Sequence, residues 1–402
     1  MTERLYYHDS FLHEFPATVV EVLSGDRPAI VLDRTAFYPT SGGQLSDTGT
    51  LFTDKGSARV AEVADDEGGR ILHFIEGDTV AMGTAVRGAI DVPRRRDHMQ
   101  QHSGQHVLSA AFIQLFGYET VSFHMGDEFC SIDLAAGTLD AQQIAQAEKL
   151  ANDVVLEDRP VDIRFVSRDE AQSLGLRKIP PAERDQLRLI DVRNFDLTAC
   201  GGTHVARTGQ IGAILLRKTE KVKPGWRVEF VCGNRAVATA RRDFTALTEA
   251  AALLSGHIWE LPPQIRKLQE TGKASRKSVA DLQEELASYH ANQLLAETPE
   301  RNGRKMMVRI FPDRDLDYVK LLAQRAVRQG TAICFFASTA AAPAIVFAQS
   351  AGQPHNMGAL MKEALAALGG RGGGSKDMAQ GGPERVEALE SVLKGLAARA
   401  GD

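Results

Sequence analysis

The chain has 402 residues, 43% hydrophobic and 25% charged, with a formal net charge of -5. That length exceeds one comfortable core and points to two or three domains. The acidic balance excludes binding of nucleic acid by overall charge, so any RNA contact rests on local basic patches. No apolar run reaches about 18 residues and the start, MTERLYYHDS, has no apolar signal region. Neither a membrane span nor a secretory leader is therefore expected.

In chain order, residues 1–90 read as a β-rich, barrel-like subdomain. TVVEV, AIVLD, ARVAEV and ILHFI alternate with Gly, Asp and Ser clusters. Asp91 and Pro93 then signal a helix start, and the run RRRDHMQQHSGQHVLSAAFIQLF continues to a stop at Gly117. Strand-like FCSIDL, a helix near 140–156, and the strands VDIRFV, IGAILLRK and WRVEFVCG follow. Residues 91–235 therefore read as an α/β core with a mixed sheet. Residues 236–300 read as a helical linker. Ile265, Leu268, Gly272, Ser275, Val279, Leu282, Leu286 and Tyr289 follow a 3,4 spacing there, a heptad seam for a stalk packing on itself or a dimer coil. Residues 301–402 read as a small α/β domain, with MMVRIF, TAICFFAS and AIVFAQ as strands and GRGGGSKDMAQGG as an interhelical loop. The whole chain is expected to be α+β.

The four cysteines are too few and too far apart for a disulfide framework, which fits a reducing cytoplasm. Cys130, Cys232 and Cys334 sit in apolar runs and read as core. Cys200 differs, because it opens the glycine-rich turn CGGTH. His102 and His106 are four apart on the strongest helix, so both imidazoles share one face. Cys200 and His204 are also four apart, across glycines that permit a tight turn. Three nitrogens and one sulfur suit one Zn2+ per chain. Four protein ligands usually close a structural site, whereas catalytic zinc keeps a position open. The 94 residues between the two pairs instead point to an ion bridging a cleft.

HSGQHV followed far downstream by CGGTHV resembles the paired signature of the alanyl-tRNA synthetase editing domain and of freestanding alanyl-tRNA editing proteins of the AlaX type, long form. DRTAFYPTSGGQLSDTG at 33–49, LRKTEKVKPGWRVEFVCGNRA and GGRGGGSKDMAQGG resemble further motifs of these proteins. The resemblance covers nearly the whole chain. The editing motifs begin almost at residue 1, without the preceding aminoacylation domain or an ATP signature, so the chain is expected not to charge tRNA.

The resemblance implies a cytoplasmic trans-editing hydrolase that cleaves the 3′-terminal ester of mischarged alanine tRNA, serine foremost and glycine next. The alternative is a tRNA-binding or dimerisation module with structural zinc. His102, His106, Cys200 and His204 would hold the metal, which would activate a bound water or else polarise or orient the substrate. No Glu stands between the histidines as in HExxH, so no side-chain base is assigned and a zinc-associated water is expected. Thr35 of the TxFYP element would recognise a serine hydroxyl. Gln44, His124, Gly201, Gly202 and Thr203 would line the substrate. His98 reads as exposed. Arg94, Arg95 and Arg96 would clamp phosphate, as would Arg371, Gly373, Gly374 and Lys376 of the C-terminal glycine-rich segment. A homodimer would form through the linker or the C-terminal domain.

Overall fold

The computed structural model describes residues 2–401 except 67, 79, 175, 177–185 and 224. The chain is α+β and divides into two units, Met1–Glu249 and Ala250–Asp402. The division falls within the 236–300 segment.

In the first unit, six strands close a barrel in the order Glu14–Leu23, Ala29–Leu32, Ile71–Gly77, Ser57–Asp65, Gly49–Phe52 and Ala85–Ile90. Alternating side chains such as Phe15, Ala17 and Val19, or Ala58 and Val60, fill its interior. The barrel also buries one imidazole. His73 Nδ1 lies 3.2 Å from the Ile30 carbonyl and Nε2 2.8 Å from Thr35 Oγ1.

Helix α1 (Val92–Phe116) leaves the barrel at once. Asp91 caps it through the Arg94 N–H, and Gly117 ends it at φ 69°. Helix α2 (Ala141–Leu156) starts on a capping box from Asp140 and Gln143. These helices pack on a four-stranded sheet, ordered Ile214–Lys221, Trp226–Cys232, Cys130–Leu134 and Thr120–Met125. Gly104 permits that approach, since a Cβ there would lie 2.2 Å from Cys232 Sγ. A second sheet holds Val161–Ser167, Gln186–Val192 and Asp196–Ala199, with the short helix α3 (Arg168–Ser173) beside it. Every described pairing in both sheets is antiparallel. This corrects the single mixed sheet expected for 91–235. Paired neighbours are joined mostly by short turns, which return the chain alongside itself, while α2 carries it from one sheet to the other.

Helix α4 (Gly233–Leu253) crosses from the first unit's residues to the second's, and helix α5 (Leu261–Glu297) follows. In the second unit, Ala287, Ala291 and Leu295 of α5 pack with helix α6 (Leu316–Gln329) over a six-stranded sheet. Here the sheet is mixed, since Arg304–Phe311 and Ala332–Ser338 pair in parallel around α6. Helices α7 (Met357–Leu368) and α8 (Leu389–Gly401) join a second apolar cluster. The glycine-rich segment expected as a loop is a hairpin, Arg371–Gly374 against Met378–Gly382. Without side chains, its glycines let strands and α7 close in: a Cβ on Gly374 would lie 2.2 Å from the Met378 carbonyl.

Burial pushes the His73 pKa down to about 4. An unfolded histidine titrates near pH 6.5, so between about 6.5 and 4 the unfolded chain binds a proton that the folded chain does not. Stability should be unaffected above this window and fall through it by up to roughly 3 kcal/mol as pH drops. Thermal melts near pH 7.5 and near pH 4.5 should show a smaller acid loss for His73→Gln than for the unaltered chain. Equal losses would sink this assignment.

Candidate metal centre

His102 and His106 project from one face of α1, and the CGGTH turn delivers Cys200 and His204 to the same point. One ligand atom from each lies within 4.8 Å of every other. Cys200 Sγ is 3.5 Å from His102 Nε2 and 3.4 Å from His204 Nε2. A tetrahedral zinc with sulfur at about 2.3 Å and nitrogen at about 2.0 Å would separate such atoms by roughly 3.5 Å. Donor chemistry and spacing therefore both fit Zn2+. The three histidines are buried, and Cys200 is partly exposed.

Each imidazole is held at Nδ1, which leaves Nε2 for a metal. The Gln44 Oε1 accepts the Thr203 N–H, so it is an acceptor for His102 Nδ1 at 2.7 Å. Its Nε2 donates to Thr203 Oγ1 at 2.8 Å. His106 Nδ1 lies 3.3 Å from Asp196 Oδ2, a carboxylate–histidine pair of the kind that orients metal ligands. His204 Nδ1 lies 3.1 Å from Ser103 Oγ, which also accepts the Val205 N–H. Gln44 and Thr203 thus support the cluster directly.

Electrostatics agree with the geometry. Burial disfavours a charge on Cys200, but His102 and His204 outweigh it and hold the thiol well below its ordinary pKa. Burial also opposes protonation of His106, yet its bonds to Asp196 and Cys200 lift it to about 9. Burial pushes His204 down to about 3.

Two glycine pairs shape the surroundings. Gly42 and Gly43 have φ of 57° and 84°, and Ser41 and Gln44 exchange backbone hydrogen bonds across them. This tight hairpin turn, which needs positive φ at both positions, aims Gln44 at His102. Gly202 lies against the imidazole: a Cβ there would fall 2.1 Å from His102 Cε1 and 2.9 Å from Gln44 Oε1. Gly201 is looser, its nearest neighbour being Tyr7 Oη at 3.5 Å.

Several expected contacts lie elsewhere. His124 is exposed, and its neighbour Phe123 stacks on His102 at 5.5 Å between ring centroids. Alternation along the strand puts only one of the two at the centre. Thr35 is buried, with its hydroxyl at His73 and accepting the Phe37 N–H. Arg95 is not a phosphate clamp: it is fully buried, paired with Asp47 and donating to the carbonyls of Ser10 and Ala36. Arg94 donates to the Ser46 carbonyl, and Arg96 is exposed. His98 is buried rather than exposed, and its Nδ1 has no partner among the described residues. In the second unit Arg371, Gly374 and Lys376 are exposed and Gly373 partly so. The N-terminus of α7 is already capped, with the Met357 and Gly358 N–H groups donating to the Lys376 and Ser375 carbonyls.

Sequence reasoning missed Asp196, Ser103 and Phe123. The alternation of SFHM could have pointed to Phe123. Nothing in the local sequence pairs Asp196 with His106, 90 residues away.

Family comparisons agree with this architecture. Residues 4–94 match the class II (A) tRNA synthetases, 187–228 the threonyl and alanyl tRNA synthetase second additional domain, and 314–402 the DHHA1 domain. These matches cover separate parts of the chain and relate it to the threonyl and alanyl tRNA synthetases. The alanyl-tRNA editing protein AlaX-L of Pyrococcus horikoshii is 31% identical over 96% of this chain and 95% of its own length, so the chain belongs to the AlaX-L family. Alanine–tRNA ligases of Archaeoglobus fulgidus and Pyrococcus abyssi are each 32% identical over 98% of this chain. The chain spans 43% of the length of either ligase.

Gly202→Ala should displace the His102 imidazole and weaken zinc binding at least about tenfold, as loss of ligand-orienting support does elsewhere. Gly201→Ala should bind zinc nearly as the unaltered chain does. Competition against a chelating dye distinguishes the two, and equal zinc affinity in both variants would contradict this geometry.

Proposed function

We propose that this chain is a zinc-dependent hydrolase that deacylates mischarged Ser-tRNA(Ala), and secondarily Gly-tRNA(Ala), at the 3′-terminal ester. The observation that carries the proposal is the convergence of His102, His106, Cys200 and His204 in a chain of the AlaX-L family. A bound zinc supplies an activated water or polarises and orients the ester. The chain's own groups do the rest. Gln44 and Thr203 hold His102, Asp196 holds His106, and Phe123 walls the His102 side.

Serine selection falls to Thr35. Its hydroxyl gives its hydrogen to His73 Nε2 and accepts from Phe37, leaving one lone pair. The TxFYP resemblance is what assigns Thr35 to the serine hydroxyl, which alanine lacks, and hydroxyl recognition of this kind discriminates strongly. Arg96, Arg371 and Lys376, all exposed, are the phosphate contacts we retain. Membership of the AlaX-L family supports a cytoplasmic protein that acts on alanine tRNA, and no described helix is long and apolar enough to cross a membrane.

The partner surface is the α5 seam. Ile265, Leu268, Val279, Leu282 and Tyr289 are 44 to 69% exposed. Residues 266–277 carry five Lys or Arg against one Glu, whereas 278–297 carry four acids and no Lys or Arg. An antiparallel second copy sets each basic half against an acidic half. It also sets Gly272 opposite Leu282 and Ser275 opposite Val279, small against large.

Purified protein should clear Ser-tRNA(Ala) and spare Ala-tRNA(Ala), and Cys200→Ala should lose activity at least about a hundredfold; intact Ser-tRNA(Ala) after incubation would leave the structural-zinc alternative. Sedimentation should find a dimer that Leu282→Lys splits into monomers with unchanged helix content. A monomeric unaltered chain would refute the seam assignment.

A further inference from the structure

Arg188, in the strand Gln186–Val192, is only 8% exposed. Its Nε donates to the Tyr7 carbonyl at 2.8 Å, and its Nη1 donates to the Cys200 carbonyl at 2.6 Å. Its Nη2 is buried with no hydrogen-bond partner, and Arg188 forms no ion pair among the described residues. A buried guanidinium without a carboxylate is costly and calls for another source of compensation. Here the Tyr7 ring lies 5.6 Å from the guanidinium carbon, and the Cys200 sulfur belongs to the very residue whose carbonyl is gripped. The strand carrying Arg188 also accepts the Cys200 N–H at its own carbonyl, 3.2 Å away. Cys200 is thus tied to Arg188 through both its N–H and its carbonyl, one residue before the turn that must bring Sγ and His204 together.

We propose that Arg188 is a positioning residue of the metal centre, whose planar fork locks the CGGTH turn against the Tyr7 turn so that Cys200 reaches the histidine Nε2 atoms. The same grip sets Tyr7 beside Gly201, at the partly exposed side of the cluster. A lysine keeps the charge but cannot offer two donors in a fixed plane. The inference rests on the metal-centre reading, and cobalt separates the two.

The full chain is titrated with Co2+, read by the sulfur-to-metal charge-transfer band and by competition with a chelator. Circular dichroism melts report folding. The unaltered chain should take up one cobalt and show the band. Arg188→Gln should bind cobalt about 10- to 100-fold more weakly, the range typical for loss of a ligand-orienting partner, with a weakened band. Arg188→Lys should fall between them. If Arg188→Gln does not fold, Arg188→Lys decides the matter alone, with affinity at least about fivefold lower expected. Affinity and band unchanged in the folded variant would overturn the role of Arg188 while leaving the metal centre intact. No cobalt uptake by the unaltered chain would overturn both.

Discussion

The buried pair of Arg95 and Asp47 is the constraint on which the first unit depends. Both side chains are inaccessible to solvent. A charge in that environment is tolerated only when its hydrogen-bonding capacity is met. Arg95 meets it with Asp47 and the carbonyls of Ser10 and Ala36, and Asp47 also accepts the Tyr38 N–H. The arginine at the start of α1 is thereby tied to the N-terminal segment and to both ends of the 36–47 loop. Gln44 sits in that loop, and His102 lies two helical turns beyond Arg95. The bond between Gln44 and His102 therefore closes a frame that Arg95 and Asp47 have already fixed.

The other face of the centre is built by backbone geometry. Two strands of the second sheet bring Arg188, Asp196 and, just past the second strand's end, Cys200 together through antiparallel register, in which Leu189 pairs with Ala199. The glycines of CGGTH then bring the turn within contact of His102. Burial alone would leave three histidines and a thiol mutually uncomfortable. His102 and His204 hold the Cys200 thiol well below its ordinary pKa, and the bond to Asp196 raises that of His106.

The second unit follows a different logic. Its sheet is nearly all apolar at the centre, with Phe335, Phe336 and Phe347 fully buried. The glycine-rich hairpin forms the edge of that sheet, and α7 starts from its turn. Small residues there allow close backbone approach, and the same openness leaves Arg371 and Lys376 at the surface. On α5 the buried residues lie at the two ends, Leu261 at the start and Ala287, Ala291 and Leu295 near the finish, while the seam residues Ile265, Leu268, Val279 and Leu282 are exposed.

Much was legible in the residues alone. The Asp91 cap and Gly117 stop bounded α1, alternation marked the barrel strands, and two four-residue spacings nominated all four members of the cluster that could hold a metal. These signals are local, because helix and turn periodicity act over a few residues. The antiparallel sheets, the hairpin in GGRGGGSKDMAQGG, the burial of Arg95 and the choice of Phe123 over His124 were not legible. The burial of Arg95 and the support of His106 depend on which distant segment supplies a partner, Asp47 for the one and Asp196 for the other. The sequence by itself determined which atoms are able to bind a metal. Only the tertiary structure decided which neighbours orient them, since a buried charge or imidazole takes its role from the partner that satisfies it.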